Sequence, residues 1–529
     1  MSILLSDLLF YLYFGIMLIA KGVGMVDGTI PFKIALVASF LCVLLKIVLE
    51  EYSIIEYLFI TALLTLGIVI WQVSGNQAAI VMFLLLVSLK KVDIKKSFRY
   101  AAVVWGFSFL FQVITHLLNL RKQDFVIHTK FGLGYVIRWA LGYSHPNVLQ
   151  IAYVVAIAYI MYAYNWTRKK AICFTVLSFI GAMYIFLFSL SSTGIIMYIL
   201  LIAGFVFFSF RAENKKKLKT IEKCLLNMIF PISVFSAIVL PLILKGKAFD
   251  VVNSIMQHRP SLTKYFLENY GINLFGLDSS DLYYIYTLDS SYPNLLVNSG
   301  FIAFAFMVIS YIFMIRSAIN DYNDNMSISN AARLAIIFSF CIAGISEPFF
   351  FNISYKNVTL LFAGMYLWER IDRIGKKKYK ILDLNINLVH DINVSQLCSV
   401  VRNIARHVKE HLLVSIAVAI SFAIIGWYIG GYVFDTPNEV YALRTSCDTD
   451  DDSVSLFLTS DEVKRFTNDD KVWILNYKDE KTPLLCFCGD ITWIDKIRCR
   501  TSFAIVLVLI AEGTSGCLFS LNAKKIRKV

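Results

Sequence analysis

The side chains able to do chemistry in this sequence are few and widely spaced. They are two arginines, Arg138 and Arg259, a histidine, His145, and two carboxylates, Asp289 and Glu347. An arginine beside an apolar surface suits a phosphate, because its guanidinium donates two parallel hydrogen bonds to phosphate oxygens. Two arginines would neutralise much of a diphosphate. Glu347, in GISEP, stands at the end of an apolar run, where an ionised carboxylate is costly unless it pairs or faces water. Arg138 or Arg259 is a suitable partner, and a plain structural salt bridge is the competing explanation. Around these residues lie Asn147, Ser191, Thr193, Tyr292 and Asn357. Within Ser189–Gly194 the small hydroxyl residues also permit close helix approach, so packing competes with ligand contact there. There is no glycine-rich phosphate loop. The single D-x-D, Asp448-Thr449-Asp450, and the pair Asp469-Asp470 read as solvated acidic turns. No metal or other cofactor is required by this set.

The elements that must position these residues are membrane spans. The chain has 529 residues, 58% of them apolar and 16% charged, and its mean hydropathy is +0.67. A soluble domain carries about 25% charged residues. Apolar runs fall at 3–21, 32–49, 54–72, 75–90, 98–119, 147–165, 171–189, 193–210, 225–244, 293–315, 331–349, 354–369 and 412–434. A span needs roughly 20 apolar residues, so the fold class is an all-α polytopic membrane protein of about 13 spans. No small-residue cleavage site follows the first run, which is therefore read as a span. The ten cysteines show no C-x-x-C and no zinc spacing.

Lysine and arginine fix the orientation. The net charge is +13, and the basic residues cluster at Lys90–Lys96, Arg168–Lys170, Arg211–Lys219 and Arg370–Lys378. All four clusters follow even-numbered runs, which places them in the cytoplasm with the N-terminus inside. Charge of this kind marks loops beside anionic lipid rather than nucleic-acid binding. It follows that 120–146, 190–192, 246–292 and 350–353 lie outside. The longest polar interruption, 246–292, is then a large extracytoplasmic loop, the usual place for chemistry in such a protein. Arg138, His145, Thr193, Arg259, Asp289 and Glu347 all converge on that outer face. Residues 135–150 are expected to form a short amphipathic piece that ends at Pro146, placing His145 at the membrane's outer edge.

In order, spacing and sidedness this pattern resembles the O-antigen polymerase and ligase superfamily, most of all the Wzy-type polymerases of capsular and exopolysaccharide pathways. The likeness runs over about residues 50–370 through RWALGYSHPN (138–147), SLSSTG (189–194), Arg259 in a long outer loop, LFGLD (274–278), DSSYPNLLVNSG (289–300), and SEP (346–348) with Asn357 nearby. The resemblance implies a metal-independent glycosyltransferase of the cytoplasmic membrane acting on polyprenyl-diphosphate-linked oligosaccharide. Arg138 and Arg259 would hold the donor diphosphate and stabilise charge on it as it leaves. A base near neutral pKa would activate the acceptor hydroxyl. His145 is the first candidate, with Asp289 and Glu347 as alternatives. Ligases of the superfamily carry a histidine where this chain has Asp289, which favours a polymerase. Ser192 stands where a basic residue is often found.

A ligase and a non-enzymatic transporter or flippase of lipid-linked glycan are the rival functions. A transporter should show inverted repeats and polar residues at the span centres; no clear repeat is present, and charges avoid the centres. Beyond the domain 1–369, residues 370–411 form a basic cytoplasmic linker, with an amphipathic helix over 394–411. The run 412–434 is a further span. Residues 435–529 form a small extracytoplasmic β-rich appendage, with strands at 454–461, 471–477, 490–495 and 502–510; a fourteenth span at 502–520 is the alternative. Cys447, Cys486, Cys488 and Cys499 are candidates for disulfides or simple thiols. The appendage resembles the terminal β-domain of membrane-fusion adaptors, and 390–441 resembles a chain-length regulator's approach to its first span. Either likeness implies coupling to a chain-length regulator or an export protein.

Overall fold

Side-chain packing explains where the apolar runs become helices and where they break. The computed structural model describes residues 2–117, 120, 125–129, 135–278, 288–374, 378–379, 387–389, 412–433, 440–444, 454–459, 484–487 and 492–526. Among them, ten helices are long and apolar enough to cross a membrane. The first eight long or apolar helices are α1 (Leu5–Gly22), α2 (Ile30–Leu49), α3 (Ile54–Ser74), α4 (Ala78–Ser88), α5 (Ile94–Leu117), α6 (Pro146–Ala163), α7 (Arg168–Ser189) and α8 (Ser192–Glu213). The rest of the bundle is Thr220–Ile243, Gly300–Asp324, Ile328–Ala343 and Thr359–Asp372. The chain is a multi-pass membrane protein.

Local chemistry sets many of the ends. Ser53 and Glu56 close a reciprocal cap at the start of α3, and Gly75 ends that helix in the left-handed region at φ 68°. His145 caps α6 through its ring nitrogen with Pro146 in the first turn, and Ser191 caps α8 by accepting from the Gly194 N–H at 3.2 Å. The Thr220–Ile243 helix contains Pro231 and a wide turn over Phe235–Val239. A proline cannot donate, and the wide turn absorbs the irregularity.

Several expected spans come out differently. The run 75–90 is an 11-residue helix in which every residue is buried. Runs 331–349 and 354–369 become Ile328–Ala343, with 16 residues, and Thr359–Asp372, with 14. A helix that is apolar all round is a core element, and in these three the apolar surface meets protein. The run 293–315 is divided at Ser299-Gly300 into Ser291–Asn298 and the 25-residue Gly300–Asp324. Gly300 has φ +83°, and a side chain there would strike Gly276 and Leu274. The segment 135–150 begins as a strand: Tyr135–Trp139 pairs antiparallel with Phe125–Thr129.

The bundle has two recognisable ends. At one, Ser2–Leu4 pairs with Asn387–Val389, and Tyr52–Ser53 pairs with Lys378–Tyr379. Two ion pairs lie at this end, the buried Lys90 on Glu56 at 2.6 Å and Arg333 on the exposed Asp321 at 2.6 Å. At the other end lie the hairpin, the start of α8 and the loop after Ala343. The large loop is helical at its beginning, over Gly246–Ile255 and Arg259–Tyr270.

The C-terminal appendage departs most from expectation. Its described strands, Val440–Arg444, Val454–Thr459 and Leu484–Phe487, form one antiparallel sheet with Val440–Arg444 in the middle. Residues 492–495 and 502–510 are helical rather than strands. From Thr492 they belong to one helix, Thr492–Ile526, of 35 residues. It packs antiparallel on Leu412–Val433, where Gly426 meets Ala504 and Gly430 meets Arg500. Small residues four apart let two helices approach without a hydrophobic driving force. The expected strand 471–477, the helix 394–411, and Cys447 and Cys488 lie outside the described residues, as do the side chain of Cys486 and the acidic residues 448–450, 469 and 470.

Candidate functional site

Glu347 is the centre of the site. It follows the turn after Ala343, and its N–H donates to the Ala343 carbonyl at 3.0 Å. The hydroxyl of Ser291 donates to the Glu347 carbonyl and accepts from the Phe350 N–H at 3.1 Å. The backbone is thus tied to the start of the Ser291–Asn298 helix, whose Ser291 N–H reaches the Gly344 carbonyl at 2.9 Å. The carboxylate is 4% exposed. It accepts a hydrogen bond from Thr193 Oγ1, in the first turn of α8. Arg259 Nη2 lies 3.7 Å from Glu347 Oε1.

Burial is the largest influence on this carboxyl and pushes its pKa up to about 7. The Thr193 hydrogen bond and the charges of Arg259 and Lys356 oppose that rise, and the charge of Asp289 adds to it. Desolvation disfavours the ionised form, and the partners recover only part of that cost. The result is a carboxyl poised between its two states near neutral pH, which is where a general base works best.

The two arginines are held differently. Arg138 projects from the hairpin strand; its Nε donates to the Ser189 carbonyl at 2.8 Å, and its Nη2 to Asn147 Oδ1 at 2.6 Å. Asn147 is in turn placed by its own N–H, which donates to His145 Nδ1 at 3.1 Å. Burial lowers the Arg138 pKa to about 10, and the charge of Glu347 opposes that shift. The Arg259 guanidinium is 7% exposed but poorly bonded. Its Nη1 reaches the Met256 carbonyl and Gln257 Oε1 only at 3.4 Å each, and among the described residues its buried Nε has no hydrogen-bond partner. The chain enters this helix through Gln257 and His258 at φ 53° and 62°, in the left-handed region, which costs energy for non-glycine residues. The backbone is bent so as to hold an under-bonded cation against Glu347.

The structure therefore brings Arg138, Thr193, Arg259 and Asp289 to Glu347, from four separate parts of the chain. It uses other expected contacts as scaffold. Tyr292 is fully buried and donates to the Cys341 carbonyl at 2.6 Å, among Phe230, Phe350 and Phe351. Asn357 donates to Tyr311 Oη at 2.9 Å and to the Phe350 carbonyl at 2.5 Å, and its Oδ1 accepts from the Thr359 hydroxyl at 2.6 Å and the Thr359 N–H at 3.2 Å. Ser191 is fully buried beneath its cap. These three were expected to touch a ligand; their polar atoms are occupied by protein. Asn147 likewise places Arg138. His145, the first candidate for a base, has its Nδ1 engaged by the cap, accepting from the Asn147 N–H.

Two residues of the site escaped sequence reading. Lys356, beside Asn357, is a buried lysine whose charge acts on Glu347. Arg498 comes from the C-terminal helix. Its Nε donates to the Leu187 carbonyl at 2.5 Å and its Nη2 to the Phe188 carbonyl at 3.3 Å, with the guanidinium over the Phe188 ring at 5.6 Å. Leu187, Phe188 and Ser189 are the last residues of α7, so two arginines satisfy three successive carbonyls that the helix leaves open. Among the described residues, no group of three or more histidine, cysteine, aspartate and glutamate side chains is arranged to hold a metal ion. Compared with models of protein families, with curated proteins and with solved structures, the chain matches none.

Proposed function

We propose that this protein is a polysaccharide polymerase, transferring a polyprenyl-diphosphate-linked glycan chain onto a lipid-linked repeat unit at the outer face of the cytoplasmic membrane. The observation that carries this reading is the under-bonded, buried Arg259 facing a carboxyl whose pKa lies near 7. A guanidinium with long contacts has donors for a phosphate oxygen, and the carboxylate beside it can take a proton. In this reading the basic end of the bundle is cytoplasmic, the N-terminus is inside, and the hairpin, Arg259 and Glu347 face outward. The ten long apolar helices are then spans, and the shorter apolar helices Ala78–Ser88, Ile328–Ala343 and Thr359–Asp372 are core segments.

The reaction is a displacement at the anomeric carbon of the donor sugar. Glu347 takes the proton of the acceptor hydroxyl. That oxygen forms the new glycosidic bond, the bond from the anomeric carbon to the diphosphate oxygen breaks, and its electron pair leaves with the polyprenyl diphosphate. Arg259 and Arg138 stabilise the charge that builds on the leaving group. Thr193 orients Glu347, Asp289 helps to keep its pKa high, and Asn147 orients Arg138. The appendage provides the surface for a chain-length regulator or export partner.

The test is a gel of lipid-linked and surface glycan from a host lacking the gene, complemented with wild type or Arg259→Ala at matched protein level. Single repeat units that persist while the ladder vanishes, with the variant failing to restore it, support the polymerase. Full-length chains left on the lipid carrier would instead identify a ligase. Repeat units confined to the cytoplasmic leaflet would identify a transporter.

A further inference from the structure

Residues Tyr355, Lys356 and Asn357 form a short segment in which the outer two are pinned and the middle one is not. Tyr355 is held in the left-handed region at φ 59°. Its phenol meets that of Tyr13 on α1, and its ring packs edge-on to Tyr13 and tilted on Phe14. Asn357 is saturated by Tyr311, Phe350 and Thr359. Lys356 between them is 7% exposed, and among the described residues its ammonium makes no hydrogen bond and no ion pair within 4.0 Å. Its electrostatic neighbours are Lys21, Asp27 and Glu347. Lys21 and Asp27 already pair with each other. A buried cation without a partner is costly, and a fold that over-determines its flanks holds it there for a reason outside its own packing.

We infer that Lys356 is a third phosphate-binding cation of this site, completing with Arg259 and Arg138 a cradle for the diphosphate of a lipid-linked ligand. This rests on the reading of the site as a diphosphate site, and it adds a residue that the reading does not require. The charge balance favours it. Arg259 lies 3.7 Å from Glu347, and the charges of Arg138, Lys356 and Asp289 also act on that carboxyl. The cluster therefore carries excess positive charge, which grows when Glu347 takes a proton. An incoming diphosphate supplies counter-charge beyond that of the described carboxylates. The ammonium is a compact, strongly hydrated point charge, so it complements the planar forks of the two arginines. Burial lowers the Lys356 pKa to about 8, as expected of a cation that waits for its partner.

The experiment measures binding of farnesyl diphosphate to the full chain in phosphatidylcholine nanodiscs, for wild type, Lys356→Met and Arg259→Gln, with thermal unfolding of each. Methionine keeps the length of the stem and removes the charge. The expected result is a loss of affinity of tenfold or more for Lys356→Met, with an unfolding midpoint equal to or above that of wild type. That combination has the opposite sign to a structural role, because removing an unpaired buried charge relieves the fold. Wild-type affinity in Lys356→Met would overturn the inference and leave the diphosphate reading intact. A loss of affinity with a lower unfolding midpoint would also overturn it, making Lys356 scaffold. Displacement of the probe in phosphatidylglycerol nanodiscs would assign Lys356 to ordinary anionic headgroups and overturn it as well. No preference of wild type for farnesyl diphosphate over farnesol would remove the diphosphate reading itself, and the inference with it.

Discussion

Replacing Glu347 with glutamine separates its chemistry from its place in the fold. The amide keeps the shape and an oxygen to accept from Thr193 and face Arg259, but it cannot take a proton. The wild-type carboxyl is moved from 4.5 to about 7, chiefly by burial. The folded protein therefore holds a proton on Glu347 across a window in which the unfolded chain has released it. Stability from this group is fully present below pH 4.5 and is lost as the pH rises through about 7. At about 1.4 kcal/mol per unit, the loss is on the order of 3 kcal/mol. Glu347→Gln has no such loss. Unfolding of the detergent-solubilised protein, followed by tryptophan fluorescence over pH 4 to 8, should show the variant gaining about 3 kcal/mol on wild type across that range. Over the same range wild-type polymerisation should rise with pH as Glu347 ionises, and the variant should lose roughly a hundredfold or more in rate. A flat stability difference would refute the burial argument. A variant as active as wild type would refute Glu347 as the base.

Further expectations follow from the contacts around it. Thr193→Val removes the hydroxyl that holds the Glu347 pKa down; the acidic limb of the pH–rate profile should move up by roughly one unit, and an unmoved limb would show that the hydrogen bond is unimportant. Arg498→Ala uncovers two carbonyls at the end of α7. It should cost about 1–3 kcal/mol in unfolding and raise KM for the lipid-linked donor through Arg138, with partial rescue by Arg498→Lys. An unchanged KM in a destabilised protein would confine Arg498 to the scaffold. Gly426→Leu should separate the two C-terminal helices, because a Cβ there lies 2.6 Å from the Ala504 Cα. Loss of protection of residues 492–510 in hydrogen exchange would be its readout.

The sequence made the ladder of helices legible because apolar length needs no tertiary information. It also made the gathering of Arg138, Thr193, Arg259, Asp289 and Glu347 at one end legible, since charge placement and the order of loops suggest which residues share an end. What it could not show was depth. Residues 75–90 and 331–349 look like lipid-facing spans, but apolarity is the same signal whether a helix meets lipid or protein. Tyr292 and Asn357 look like ligand contacts because polarity in an apolar setting suggests function; their internal partners, the Cys341 carbonyl and Tyr311, appear only in three dimensions. Residues 502–510 look like a strand, because nine apolar residues carry no helical period; Gly426 and Gly430, some 75 residues upstream, make them a helix face. Arg498 was beyond reach, because the Leu187 and Phe188 carbonyls that it binds leave no mark on sequence.

The buried cations show what distinguishes a working group from a supporting one. Arg333, at the other end of the helix that leads to Glu347, also has a bare Nε. Yet it binds Asp321 at 2.6 Å, Tyr162 at 3.0 Å and the Tyr366 phenol, so its terminal nitrogens are fully engaged. Arg498 and Arg138 are anchored on α7 carbonyls at 2.5 Å and 2.8 Å. Arg259 has no contact shorter than 3.4 Å, and Lys356 has no hydrogen bond among the described residues. Exposure does not divide them, for all are buried. Bond saturation does. A saturated buried cation fixes structure, because any ligand would have to displace a good internal partner. An unsaturated one raises the energy of the empty protein, and an anion that reaches it recovers that energy. Arg259 and Lys356 both act on the carboxyl of Glu347. Their unmet bonding lies where a diphosphate would satisfy it.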